Sequence, residues 1–285
     1  METILEIKDI TKKYDGFTLD NVSISIPEGV IMGFIGENGA GKTTTLKAIL
    51  NLIKIDSGTI KIFNKDIHTD EKTIKEDIGV VFSDSSFPEN LNAMQINNIM
   101  KDFHPHWDNT LYNQYLKDFD LPTKKRIKEF SKGMKMKLSI ACALAHHPKL
   151  LILDEATSGL DPIVRDDILS IFQQFIQDEH HSVFLSTHIT SDIEKIADYI
   201  TFIHKGKIIL SEEKDALLEN YAILKIDEES SKKIDSMDVE GIRKSSFGAE
   251  VLINNKEKIQ KQFPTAVFDH VTLEDIMLFK IKGGK

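Results

Sequence analysis

The residues best suited to chemistry stand together as Gly36-Glu37-Asn38-Gly39-Ala40-Gly41-Lys42-Thr43-Thr44, in the pattern G-x-x-x-x-G-K-T. Gly36, Gly39 and Gly41 let the backbone adopt conformations closed to other residues and bring its N–H groups toward phosphate oxygens. A helix opening at this point adds a partial positive charge. Lys42 is placed to reach the outer phosphates, and Thr43 to ligate Mg²⁺. A Gly-rich turn ahead of a helix is the plain alternative. The Lys-Thr pair and both flanks favour a loop that cradles a nucleoside triphosphate.

A second group of chemical residues lies far along the chain. The apolar run Leu150-Leu151-Ile152-Leu153 ends in Asp154 and Glu155. That is how a buried central strand finishes at the edge where open α/β sheets bind ligands. Asp154 is a candidate for the Mg²⁺ shell. Alternation turns Glu155 the other way, as a candidate to polarise a water beside the γ-phosphate. Ser131, in Phe130-Ser131-Lys132-Gly133-Met134, has the character of a helix N-cap and opens a second potential anion site. Ser158-Gly159-Leu160-Asp161 follows the carboxylates, and Val183-Phe184-Leu185-Ser186-Thr187 reads as another buried strand with His188 at its end.

These groups need elements to position them. Val30–Ile35 reads as a buried strand and Thr44–Leu50 as the helix after the loop. Residues 4–10, 18–26 and 58–63 alternate as strands of an antiparallel layer, and Pro27-Glu28-Gly29 is a turn. Ile78–Phe82 is a further core strand, and residues from about 84 to 147 are rich in helix. After Gly206-Lys207-Ile208-Ile209-Leu210 the pattern changes. Residues 216–285 read as a small α+β piece with strands at 222–226 and 250–254 and a helix at 273–279. The expected class is α/β: a parallel core sheet, an antiparallel β layer, an inserted helical lobe and a C-terminal α+β domain.

With six motifs in this order, the chain resembles the ATP-binding cassette (ABC) family of transporter ATPases over roughly residues 1–215. More narrowly, Ser-Lys-Gly-Met at residues 131–134 is similar to export-type cassettes of Gram-positive bacteria that export peptides or confer peptide-antibiotic resistance. The resemblance implies ATP and Mg²⁺ as ligands, with Tyr14 stacking on adenine. His188 is then a donor to the γ-phosphate or a holder of the attacking water beside Glu155. It further implies two cassettes sandwiching two ATPs, with Ser131 and Gly133 touching the nucleotide of the partner chain. Asp161 would hold the loop between subunits. The pair is either two copies or this chain with a paralogue, working on separate integral membrane subunits. The position is then cytoplasmic, peripheral on the inner face of the membrane.

Two departures stand out. Ser83, with Asp84 beside it, occupies the place of a glutamine that contacts Mg²⁺ in the family. Serine would need a water to reach the metal, and Asp84 offers a hard oxygen instead. Lys132 sets a positive charge in the signature, near the partner's ATP.

Composition fits this reading. The chain has 285 residues, 41% hydrophobic and 28% charged, with a net charge of −9. That balance does not favour nucleic acid as a partner. A cassette acting as a nucleotide-dependent switch, or on ribosomes, is the alternative, but ribosome-acting relatives carry two cassettes in one chain. No apolar run has the roughly 20 residues needed to cross a bilayer. The first residues lack the features of an export signal. Cys142 stands alone in an apolar helical setting, which suggests packing. The basic run Lys124-Lys125-Arg126-Ile127-Lys128 reads as a solvated helix face. The tail shows no catalytic constellation and is expected to support structure or dimerisation.

Overall fold

Strands that are apolar along their whole length need cover on both faces, and those beside the phosphate loop build the middle of a largely parallel sheet. The computed structural model describes residues 2–83, 87–231, 233–245 and 248–282. The first part holds β1 (Thr3–Tyr14), β2 (Phe17–Pro27), β3 (Ile31–Ile35), α1 (Lys42–Ile49), β4 (Ser57–Ile62), β5 (Lys65–Asp66), α2 (Glu71–Glu76) and β6 (Ile78–Val81). Next come α3 (Ala93–Phe103), α4 (Asn109–Asp118), a 3-10 turn (Ile127–Glu129), α5 (Lys132–Leu144), β7 (Leu150–Asp154) and α6 (Pro162–Phe175). Then follow β8 (Ser182–Thr187), α7 (Thr190–Ile196), β9 (Tyr199–His204) and β10 (Lys207–Glu213). The last part holds α8 (Lys214–Asn220), β11 (Ala222–Ile226), α9 (Glu228–Ser231), β12 (Val239–Ser245), β13 (Gly248–Ile253), α10 (Lys256–Gln262), β14 (Val267–Asp269) and α11 (Leu273–Lys282).

The central sheet runs β10-β9-β3-β8-β7-β6, parallel except for β10 on the outer edge. Its register pairs Ile35 with Thr187 and Asp154 with Ser186. The phosphate loop, the carboxylate pair and His188 therefore leave the sheet at one edge. Strand β9, a run of β-branched and aromatic residues that sequence reading passed over, completes the sheet beside β3.

An antiparallel sheet, β2-β1-β4-β5, covers one face. Ile7, Leu19, Ile24 and Ile26 from it pack with Phe34, Leu46, Ile152 and Phe184. The Phe34 and Phe184 rings stack at 5.2 Å, worth about 0.5–1.5 kcal/mol beyond the area they bury. Helices α5, α6 and α7 cover the other face.

The helical lobe has its own apolar cluster around Ile96, Tyr112, Leu116 and Leu138. Cys142 lies within it, and burial pushes its thiol up to about 12, so it acts as a packing residue. The basic run does not form a helix face. Lys124 and Lys125 lie in an exposed bend, Arg126 bridges to Asn92, and Ile127 and Lys128 enter the 3-10 turn, because Ile127 must join the lobe's core. The C-terminal strands form a third sheet, β12-β13-β11-β14, all antiparallel.

Where the lobe meets the core, the rings of His104 and His146 stack at 4.2 Å, and His146 Nε2 donates to the Ile78 carbonyl at 3.0 Å. Burial, then the neighbouring His146, pulls His104 down to about 4. Unfolded histidine titrates near 6.5. Between the two values the unfolded chain holds the extra proton. Stability is therefore full above about pH 6.5 and is lost as pH falls toward 4. His104→Phe keeps a ring in place and removes the titration. Thermal melts should show a smaller drop in Tm between neutral and mildly acidic pH in that variant; an unchanged drop would clear His104 of the effect.

Candidate nucleotide site

The phosphate loop is held by its glycines in two ways. Gly41 caps α1 with φ 115°, a left-handed backbone that a side chain would strain. Gly36 is needed for space instead: a Cβ there would lie 2.5 Å from the Ile203 carbonyl oxygen. The loop opens on a cleft of about 510 Å³, lined by Glu37, Asn38, Gly39, Gly41, Lys42, Thr43, Thr44 and Glu155, with Gly16 and Phe17 opposite. Gly36 and Ala40 stand behind this surface and are buried.

Lys42 is only 6% exposed. Its Nζ donates to the Gly36 carbonyl at 2.7 Å and the Glu37 carbonyl at 3.3 Å, and lies 3.3 Å from Glu155 Oε1. Thr43 Oγ1 donates to Asp154 Oδ2 at 3.0 Å, and Ser186 Oγ donates to the other carboxylate oxygen at 3.0 Å. A hydroxyl and a carboxylate so close are hard oxygen donors of the kind Mg²⁺ takes together with waters and phosphates.

Glu155 is placed by strain. The strand stops at Asp154, one residue earlier than simple alternation assumes, and Glu155 has φ 53°. A left-handed glutamate costs on the order of 1–3 kcal/mol, which surrounding contacts must offset. Its N–H donates to the Ser186 carbonyl at 2.8 Å. Its side chain then turns into the same cleft, with Oε2 2.7 Å from His188 Nδ1 and Oε1 beside Lys42. A carboxylate held between an ammonium and an imidazole can accept a proton from a water at a phosphate.

Other candidates lie farther out. Tyr14 ends β1 at the mouth of the cleft, 46% exposed, with Lys12 Nζ 5.5 Å from its ring centre. Phe17, across the hairpin, lines the cleft itself, and a Cβ on Gly41 would lie 3.0 Å from its ring. Sequence reading passed over Phe17; its place three residues after Tyr14 in a two-residue hairpin was the available signal. Among the described residues, Ser83 makes no side-chain hydrogen bond, and it stands two positions past the end of β6. Asp84 lies outside the described residues.

Ser131, Gly133 and Asp161 are not on this cleft. Ser131 caps α5, its Oγ accepting from Met134 N–H at 3.2 Å, which leaves the hydroxyl proton to give. Asp161 caps α6 ahead of Pro162, accepting from Val164 N–H at 3.1 Å. Lys132 stays exposed and donates to the Ser158 carbonyl of its own chain at 2.8 Å.

A further set escaped the sequence altogether. Asp192 on α7 is 1% exposed. It accepts from Thr157 Oγ1 at 2.6 Å and is paired with Arg165 Nε, while Arg165 Nη2 donates to Ser191 Oγ at 2.8 Å. Thr157 is two residues beyond Glu155, and Asp192 is four beyond His188. The two loops are thus tied twice, once by each pair.

A phosphate loop on a parallel sheet, with a strand-end carboxylate pair and an inserted helical lobe, defines a nucleotide-hydrolysing cassette. The family model of the ABC transporter matches residues 19–158. Bacitracin transport ATP-binding protein BcrA of Bacillus licheniformis is 39% identical over 215 residues, spanning 73% of this chain and 69% of that protein. ABC transporter ATP-binding protein YtrB of Bacillus subtilis is 28% identical over 291 residues, 99% of each chain. The solved structure of an ATP binding subunit of an ABC transporter superposes with a TM-score of 0.67 at 26% identity, covering 76% of this chain and 92% of that one. The chain belongs to the ABC transporter family, as an ATP-binding ATPase subunit. Among the described residues, no helix is long and apolar enough to cross a membrane.

Breaking the buried tie at Asp192 leaves a guanidinium and a hydroxyl without their partner. Asp192→Ala should cost about 3–5 kcal/mol in urea unfolding. A loss under about 1 kcal/mol, as for an exposed ion pair, would show that the tie is dispensable.

Proposed function

We propose that the chain hydrolyses Mg·ATP as one half of a pair of cassettes and drives export through separate membrane subunits. The placement of Glu155 between Lys42 and His188, at the rim of the phosphate loop, carries this reading. Lys42 would exchange its loop carbonyls and Glu155 for the β- and γ-phosphates, and the loop N–H groups would hold their oxygens. Thr43 and Asp154 would hold Mg²⁺, which neutralises charge on the phosphates when bound. Glu155, released from Lys42, would accept the proton of the attacking water. His188 would hold the carboxylate in line through Nδ1. Tyr14 would stack on the base, a contact worth on the order of 1–3 kcal/mol and tolerant of base identity.

The place of Ser131 and Gly133 supports a pair of chains. Ser131 and Gly133 lie away from their own phosphate loop, so the second half of the γ-phosphate site would come from a partner cassette, identical or paralogous. Asp161 and its loop would meet that partner.

A groove of about 440 Å³ between the end of β6 and the helical lobe, lined by Leu50, Leu52, Val81, Phe82, Phe87 and Met100, is the surface suited to a membrane subunit. Leu52, in its lining, stands 55% exposed. That contact would hold the chain at the inner face of the membrane. The name of BcrA, with its bacitracin transport, supports an exporter of antibiotic-like cargo. The tail, residues 216–285, is read as a domain that supports the cassette. YtrB spans it too.

Glu155→Gln should bind ATP, accumulate as an ATP-dependent pair in size-exclusion chromatography, and lose turnover by a factor on the order of 10² or more. Normal turnover in that variant would take Glu155 out of the mechanism. Tyr14→Ala should weaken ATP and GTP binding alike, by about tenfold in calorimetry. A loss confined to ATP would point to recognition of the base edge instead of stacking.

A further inference from the structure

Lys132 is the charged residue of the signature Ser131-Lys132-Gly133-Met134, and the fold gives its side chain a defined seat. Its Nζ donates to the Ser158 carbonyl at 2.8 Å. The next residue is Gly159, with φ 66°, where a Cβ would lie 2.8 Å from that same Nζ. Glycine there meets two demands at once: the left-handed turn and the space for the amine. One position on, Gly133 brings α5 against α6, since a Cβ there would lie 3.0 Å from Val164 Cγ1. About one turn further along, Lys137 pairs with Asp167 at 2.8 Å. The openings of α5 and α6 are therefore fastened at successive levels. The loop Ser158–Asp161 is strung between the carboxylate pair and α6, directly under Lys132.

We infer that Lys132 is a positioning residue that transmits closure on one ATP to the hydrolytic carboxylate of the other. The inference rests on the two-chain reading above. In that reading the start of α5 meets nucleotide held by the partner chain, whereas Glu155 of the same chain serves its own nucleotide. The Lys132–Ser158 hydrogen bond joins these two points across three residues of backbone, Ser158 to Glu155. From there Thr157 carries the tie to Asp192 and α7, and Glu155 carries it to His188. A signature seated on the partner's phosphate therefore fixes the loop that leads to Glu155. An unseated one leaves that loop held by its own turn, by the Thr157–Asp192 tie and by α6, with nothing to bind it to the partner's nucleotide. The amine does not touch nucleotide in this role. It sets the backbone from which the carboxylate is presented.

The test uses the full chain carrying Glu155→Gln, so that ATP closes the pair without hydrolysis, with hydrogen exchange read over residues 156–162. With Lys132 present, ATP should slow exchange in that segment by about tenfold, as expected for loss of local opening. Lys132→Met should still bind ATP and pair, yet slow exchange there by less than about twofold. Lys132→Arg, which can donate to the same carbonyl, should restore the protection. With Glu155 intact, Lys132→Met should lower kcat about tenfold, the scale of one charge-assisted hydrogen bond, and leave KM unchanged. Equal protection in the Met variant, or an Arg variant that behaves like Met, overturns the inference while the two-chain reading stands. If ATP pairs no chains even with Lys132 in place, the two-chain reading falls and takes this inference with it.

Discussion

Glu155 stands in a backbone conformation that glutamate disfavours, and much of the cassette is arranged to hold it there. The left-handed turn is imposed by the Ser186 carbonyl, which takes the Glu155 N–H just past the last rung of the β7–β8 ladder. That rung exists because two fully buried strands, Leu150–Asp154 and Ser182–Thr187, lie side by side. Without the turn, the carboxylate would continue the strand's alternation and miss Lys42. The strain is thus the means by which two adjacent carboxylates serve one cleft, Asp154 toward Thr43 and Glu155 toward Lys42 and His188.

Holding such a turn requires that both neighbouring loops be rigid, and α7 is where that rigidity is supplied. This helix of seven residues is too short to be stable on its own. It is clamped on one side by Asp192 to Thr157 and Arg165. On another side Ile193 packs so closely on β3 that a Cβ on Gly33 would lie 2.5 Å from it. The tail closes a third side. Leu273 N–H donates to Glu194 at 2.7 Å, and Leu273, Ile276 and Phe279 join Ile193 and Ile196 in one apolar cluster. The C-terminal segment therefore bears on the helix that follows His188. Its packing gives physical content to the expectation of a structural role for the tail.

Much of this was legible in the sequence because burial and glycine leave strong marks. Runs such as Leu150–Leu153 and Val183–Thr187 can only be central strands, and Gly-Lys-Thr after a strand can hardly be anything but a phosphate loop. The same logic placed Ser131 as a cap, since the Met134 N–H three residues on needs an acceptor; that Asp161 caps α6 emerges only from the structure. Strands β12 and β14 were less visible, and β14 has three residues. Phe17 looked like any hydrophobic hairpin residue until the loop packed against it. The basic run at 124–128 misled because charge density alone does not distinguish a helix face from a turn whose single apolar residue, Ile127, is drawn into the lobe.

The least legible feature was the network that spans distant segments, and the reason is general. A hydrogen bond between Thr157 and Asp192, or between Lys132 and Ser158, links positions 35 and 26 residues apart and leaves no periodic trace in either. Pattern reading finds the residues that meet a ligand, because ligands demand fixed types at fixed spacing. It misses the residues that meet each other. Here the second kind decides how the first is presented. Lys42 and Glu155 would form only an ion pair in a cleft if His188 and the 157–192 tie did not fix one end of it. Lys132 reads, from sequence, as added charge at a nucleotide. Seated on Ser158, it is a mechanical link, and the chemistry of the cleft then depends on how firmly two helix openings are fastened together.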